Sequence, residues 1–166
     1  MKNIELKLSA GNFNKIIFCL KKARARHAGK LCQTDTYYNC RDGRLKLREI
    51  NAQKFELIFY KRPNTNNSKI SNYQILDINK KQAKIIKSIL ADALRTKNII
   101  KKTRDLWIYK NTRIHLDKVS GLGRFLELET VIKKNIKAAE VEHGEIIKNL
   151  KLSKYKKYGK SYSDMF

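Results

Sequence analysis

Glu127 and Glu129 sit in the stretch RFLELET, residues 124–130, where Leu126 and Leu128 alternate with them. That period-2 pattern is the signature of a β-strand with one apolar face. Two carboxylates on one strand face lie roughly 7 Å apart and repel unless something positive lies between them. On a solvated face the pair is harmless. Other strand-like stretches show the same division: Arg44, Lys46 and Arg48 in RLKLREI; Lys102 and Arg104 in KTR; Arg113, His115 and Asp117 in RIHLD. Two arrangements fit. An open two-layer sheet would turn the charged face to water. A closed barrel would turn it inward and leave its apolar outside to be covered by helices. The second gathers many cations and a few acids at close quarters, which is tolerable only if a polyanion and divalent metals fill the lumen.

The elements that position these residues follow from periodicity. Residues 2–8 alternate as a strand, with Ile4, Leu6 and Leu8 on one face. A helical pattern over 12–26 carries Phe13, Ile16, Ile17 and Leu20 on one side. Strands are predicted at 30–39, 44–50 and 54–62, with RDG at 41–43 turning the first two into a hairpin. Pro63 opens a polar loop, PNTNNSK, that ends a strand. A strand at 70–78 leads into a helix near 79–94, followed by strands around 98–104, 106–110, 112–118 and 124–132. A last amphipathic helix covers about 135–150 before a lysine-rich tail ending SYSDMF. The expected fold class is α+β: an antiparallel sheet or barrel of about eight strands with three helices, one domain over 1–166.

The 166 residues suffice for a real core, and 42% apolar content argues for a folded globule. No apolar run approaches the roughly 18 residues of a membrane span, so no membrane partner is expected. The N-terminus lacks the apolar core of a secretory signal. Cys19, Cys32 and Cys40 show no CxxC spacing, which fits reduced thiols in a cytoplasmic setting and excludes a structural zinc site. A net charge of +23 makes a polyanionic partner the expectation. Because Lys, Asn and Ile are all abundant, the placement of the charges says more than their sum.

The ordered series NIELK, QTDTYY, GRLKLRE, ELIFYKRP, KTR, RIHLDKVSGLGRFLELE and SYSDMF resembles the CYTH superfamily, the triphosphate tunnel metalloenzymes. Within it the chain is most similar to the class IV adenylyl cyclase group, with a further likeness to thiamine triphosphatase. The resemblance implies a closed eight-stranded antiparallel β-barrel, a tunnel with a polar lumen flanked by helices, that binds a triphosphate with Mg2+ or Mn2+. It assigns Lys7, Lys46, Arg48, Arg62, Lys102, Arg104 and Arg113 to substrate binding, with Lys7, Arg62, Lys102 and Arg113 as catalytic. It assigns Glu5, Asp117, Glu127 and Glu129 to the metal. Asp35 and Tyr37 fall on the polar face of their strand without an assigned role. A triphosphate carries about four negative charges, which guanidinium and ammonium groups neutralise directly. The glutamates would repel it unless metal ions bridge carboxylate to phosphate.

Two reactions suit such a cradle: cyclisation of ATP to cyclic AMP and pyrophosphate, or hydrolysis of thiamine triphosphate, a nucleoside triphosphate or tripolyphosphate. The closer resemblance puts the cyclase first. The chain departs from the family signature ExExK at Asn3, which offers a carbonyl oxygen but no charge. That change fits an adaptation to another substrate, or a tunnel that keeps anion binding and has lost turnover. A nucleic-acid binder is a rival supported by charge and by YKKYGKSY at 155–162, but no RNA-binding signature accompanies it. The tail either closes a mouth of the barrel or frays, and a homodimer is compatible with the family.

Overall fold

A sheet whose strands each carry one charged and one apolar side must find a cover for the apolar side and a counter-charge for the other. In the computed structural model, which describes residues 2–166, closure of the sheet answers both needs. The strands are β1 (Lys2–Ser9), β2 (Arg26–Tyr38), β3 (Arg44–Ile50), β4 (Lys54–Lys61), β5 (Lys69–Ile78), β6 (Thr96–Tyr109), β7 (Thr112–Val119) and β8 (Gly123–Val131). They form a closed antiparallel barrel in the order β1-β5-β4-β3-β2-β6-β7-β8. Three helices, α1 (Asn14–Lys22), α2 (Lys80–Leu94) and α3 (Ile136–Asn149), lie outside it.

The apolar sides point outward. Leu6, Leu8, Trp107, Ile114, Leu116, Leu126 and Leu128 pack in one cluster with Ile16 and Leu20 of α1, Ile146 of α3 and Leu152 of the tail. A second cover joins Tyr38, Leu47 and Phe55 to Ala83 and Leu90 of α2. The start of α2 is fixed by a capping box: Asn79 Oδ1 accepts from the Gln82 amide, and Gln82 Oε1 accepts from the Asn79 amide, each at 2.9 Å. At the β2–β3 turn Gly43 has φ +81°, and a Cβ there would lie 2.8 Å from the Phe59 ring.

Several expected boundaries move. The helix expected over 12–26 stops at Lys22, and Arg26 already pairs with Ile108 as β2 begins. The two strands expected at 98–104 and 106–110 are one strand, β6, running beside β2 for almost its whole length. The break in the pattern is real but means something else: along its inner face β6 changes from Lys102 and Arg104 to Leu106. Cys19, Cys32 and Cys40 are free. Among the described residues no helix is long and apolar enough to cross a membrane.

His143 ties α3 to the barrel. It is 3% exposed, with Nδ1 2.8 Å from Thr130 Oγ1 and Nε2 3.1 Å from Ser68 Oγ. Burial lowers its pKa from 6.5 to about 4, against a smaller opposing pull from Glu142. The fold therefore holds neutral imidazole, and its stabilisation is intact above pH 6.5 and lost as pH falls toward 4. In urea unfolding the advantage of wild type over His143→Gln should shrink by up to about 3 kcal/mol between pH 7 and 4. A pH-independent difference would refute the neutral ring.

Candidate active site

The inner faces of all eight strands surround a cavity of about 300 Å³. Its lining includes Glu5, Lys7, Lys46, Arg48, Arg62, Lys102, Arg104, Arg113, Glu127 and Glu129, so the barrel brings together ten of the eleven residues to which the resemblance assigns a substrate or metal role. The eleventh, Asp117, lies directly behind Arg104. It is fully buried and takes a two-pronged bond from Arg104, Nε at 2.7 Å and Nη2 at 2.6 Å, plus the Tyr162 hydroxyl at 3.0 Å. Both of its oxygens are engaged by side chains of the protein.

Two charge groups divide the lumen. The first surrounds Asp35, which is 0% exposed: Arg48 reaches it with Nε at 2.7 Å and Nη2 at 2.9 Å, Lys46 at 3.1 Å and Lys102 at 3.3 Å. Burial works against the Asp35 carboxylate, yet Arg48, Lys102 and Lys46 hold it well below the usual range. Burial, reinforced by Arg48, takes the Lys46 ammonium down to about 7. The second group holds the acids of β1 and β8. Glu127 pairs with Lys7 at 3.2 Å and Arg104 at 2.8 Å; Glu129 pairs with Arg113 at 2.9 Å; Glu5 accepts from Arg62 at 2.9 Å. Burial opposes the Glu129 charge, but His115, Arg113 and Arg104 bring its pKa to about 2. Glu5 is raised by burial, less the effect of Arg62.

The ends of the tunnel differ. At one, the tail runs back along β1, with Tyr158 N donating to Lys7 O and Ser9 N to Lys156 O, both at 2.9 Å. Lys7 Nζ donates to Lys160 O and lies 3.6 Å over the Tyr162 ring. Tyr162 packs with Ile100, Val119 and Phe125, and Asp164 binds Arg44 and Lys97. The tail thus closes this mouth. The opposite end is lined by Leu31, Ile50, Leu106 and Ile75, the last 40% exposed, together with the charged Glu56 and Arg113.

Residues that fit a divalent cation are present. One ligand atom each from His115, Glu127 and Glu129 lie within 4.8 Å of one another. Asn3 Oδ1 and His115 Nδ1 are buried without a hydrogen-bond partner, a state that costs roughly 1–3 kcal/mol per atom and that a cation relieves. The donor set of carboxylates, a carbonyl oxygen and an imidazole suits such an ion.

The CYTH domain matches residues 1–162. The chain belongs to the CYTH family. A protein of Methanocaldococcus jannaschii provisionally named an adenylate cyclase is 29% identical, over 99% of this chain and 98% of its own. Among solved structures, a Pyrococcus horikoshii protein superposes with a TM-score of 0.80 at 21% identity, over 99% of each chain. A Hippeastrum protein provisionally named an adenylyl cyclase and described as having a dominant triphosphatase activity gives 0.68 at 14% identity, over 99% of this chain and 94% of that one. At these identities the superpositions establish the CYTH tunnel fold, and the structural neighbours include proteins named as cyclase-like and as triphosphatases.

Sequence reasoning left Asp35 without a role in this CYTH tunnel, and a signal was available. The hairpin register implied by the turn at 41–43 sets Asp35 opposite Arg48 and Tyr37 opposite Lys46. Gln33, Ser71 and Tyr73 also line the cavity, and nothing in their local pattern announces it. Removing the Asp35 charge leaves three buried cations facing one another. Asp35→Asn should destabilise the free protein by roughly 3–5 kcal/mol. Tripolyphosphate should restore a larger share of that loss in the variant than it adds to wild type, by thermal unfolding. Unchanged stability would show that Asp35 is not the lumen's counter-charge.

Proposed function

We propose that this CYTH protein is a divalent-metal-dependent enzyme acting on an organic triphosphate, an adenylyl cyclase that converts ATP to cyclic AMP and pyrophosphate. The observation that carries the reading is the change along the tunnel, from the Lys46, Arg48 and Lys102 cluster to a mouth where Leu31, Ile50, Leu106 and Ile75 supply apolar surface beside Glu56 and Arg113. The phosphates belong among the cations, and a flat heterocycle belongs against the apolar lining. A bare tripolyphosphate has no use for such a mouth.

In this reading Arg48, Arg104 and Arg113 clamp the phosphate oxygens through paired N–H donors. Lys7, Lys46 and Lys102 add point charges where negative charge develops on the leaving pyrophosphate. Their own carboxylate partners keep these cations aimed before substrate arrives. Glu5, Glu127 and Glu129, with Asn3 and His115, would hold Mg2+ or Mn2+, and the ion when bound would supply charge stabilisation at the phosphorus centre and the leaving oxygens. Enclosure by the barrel excludes water and strengthens each of these interactions. Cyclisation follows when the 3′-hydroxyl, held by the base in the apolar mouth, lies in line with the α-phosphorus.

A second reading, triphosphatase, is favoured by the activity described for the Hippeastrum neighbour. It differs only in placing water in line with the terminal phosphorus. Incubation with ATP, thiamine triphosphate and tripolyphosphate, each with Mg2+ or Mn2+, separates the two. Cyclic AMP and pyrophosphate from ATP are expected. Orthophosphate without cyclic AMP would establish the second reading in place of the first. Glu129→Ala should lower metal-dependent turnover roughly a hundredfold while leaving a folded barrel. Unchanged turnover would remove Glu129 from the site, and turnover seen only after Asn3→Glu would mark a tunnel whose activity had been lost.

A further inference from the structure

We infer that Gln33 reads the sugar of the substrate: its side-chain carboxamide accepts a hydrogen bond from the 2′-hydroxyl and makes this tunnel select ribonucleoside over 2′-deoxyribonucleoside triphosphates. The inference rests on the reading above that a nucleoside triphosphate lies with its phosphates among the lumen cations and its base in the mouth. It holds whichever phosphorus is attacked.

The inward residues of β2 follow one another along the tunnel as Leu31, Gln33, Asp35 and Tyr37. Alternate residues of a strand stand roughly 7 Å apart. Asp35 is the centre of the cation cluster and Leu31 belongs to the mouth, so Gln33 occupies the step between them. Its cross-strand neighbours say the same: Lys102 on β6 at one side and Ile50 on β3 at the other. A nucleoside triphosphate lying in the proposed direction runs from phosphate through pentose to base. The pentose is the part that falls at the level of Gln33.

Gln33 is 4% exposed and lines the cavity, yet its Oε1 is buried without a hydrogen-bond partner among the described residues. Its charged neighbours are already committed. Arg48, Lys46 and Lys102 all reach Asp35, and Glu56 takes Lys54 at 2.8 Å. A glutamine used only for packing pairs its buried oxygen with a neighbouring donor. Here the carboxamide is left over among groups that have satisfied one another, and its terminal torsion is soft enough to turn the oxygen to the lumen. The missing partner is a neutral donor. Phosphate oxygens only accept, so they give this oxygen nothing, whereas a sugar hydroxyl donates. The 3′-hydroxyl is the attacking group in cyclisation, which leaves the 2′-hydroxyl as the one consumed in neither reaction. A site built to bond a hydroxyl rejects the analogue that lacks it, because its own polar atom is then unpaired.

The test is calorimetric titration of the full-length protein, in Mg2+, with bismethylene analogues of ATP, 2′-deoxy-ATP and tripolyphosphate, whose bridges neither reaction can cleave. Wild type should bind the ribonucleotide analogue about tenfold or more tightly than the deoxy one. Gln33→Leu should remove most of that ratio by weakening the ribonucleotide alone. Gln33→Glu keeps an acceptor in place and should keep the ratio, although its added charge weakens all three ligands. Equal affinities of wild type for the two nucleotides overturn the inference and leave the nucleotide reading standing, and this comparison stands even if the leucine variant does not fold. A Gln33→Leu that weakens all three ligands alike marks a phosphate contact and also overturns it. So does a ratio that survives in Gln33→Leu or is lost in Gln33→Glu. Nucleotide analogues that bind no tighter than the bare triphosphate analogue overturn the nucleotide reading and the inference together.

Discussion

Ionised groups shut away from water must neutralise one another, and that requirement organises this molecule. Asp35 is the clearest instance, a fully buried carboxylate held by Arg48, Lys46 and Lys102. Without it three cations would confront one another in a low dielectric; without them it would be an isolated buried anion. Arg104 repeats the arrangement between Asp117 and Glu127. These pairings stabilise the empty tunnel only modestly, because desolvation offsets much of the attraction. What they do is hold guanidinium and ammonium groups in place, desolvated and directed, which is the preorganisation that the proposed triphosphate site would use.

The inward turn of the charges dictates the rest of the architecture. A barrel with a polar lumen has an apolar exterior, and α1, α2 and α3 exist to cover it. The tail has a different task. Its Tyr162 enters the lumen end, bonds Asp117 and sits under Lys7, so the same residue seals one mouth and fixes two members of the charge network. Lys69 clasps the tail to the loop after β4 by donating to Gly159 O at 2.6 Å and Thr65 O at 3.0 Å. Gly159 is required at that crossing, because a Cβ there would come within 2.7 Å of the Thr65 backbone.

The division of each strand into charged and apolar sides was legible from alternation alone, and the ordered motifs from NIELK to FLELE carried the closed barrel. Alternation fixes which residues share a face but not how strands are offset, and the offset decides the partnerships. Asp117 illustrates the limit: alternation puts it on the inward face with Arg113 and His115, and only the β6–β7 register shows that it stands opposite Arg104, which takes both its oxygens. The local pattern carries a helix past the end of α1 because the residues after Lys22 continue to suit one; pairing of Arg26 with Ile108 overrides them. Non-local pairing is the information that a reading of single segments lacks.

The tail bears also on the rival in which the chain binds nucleic acid. Its support in YKKYGKSY is the interleaving of aromatic rings with lysines, since exposed rings give unpaired bases a stacking platform. The rings of that stretch are otherwise engaged. Tyr162 is 3% exposed, Tyr158 meets Phe125 edge-on at 5.6 Å, and Tyr155 packs on the α1–α3 cluster. What the stretch leaves outside is lysine, which attracts any polyanion through counterion release and discriminates little among them. Inside the barrel, by contrast, acids and bases are interlocked and desolvated.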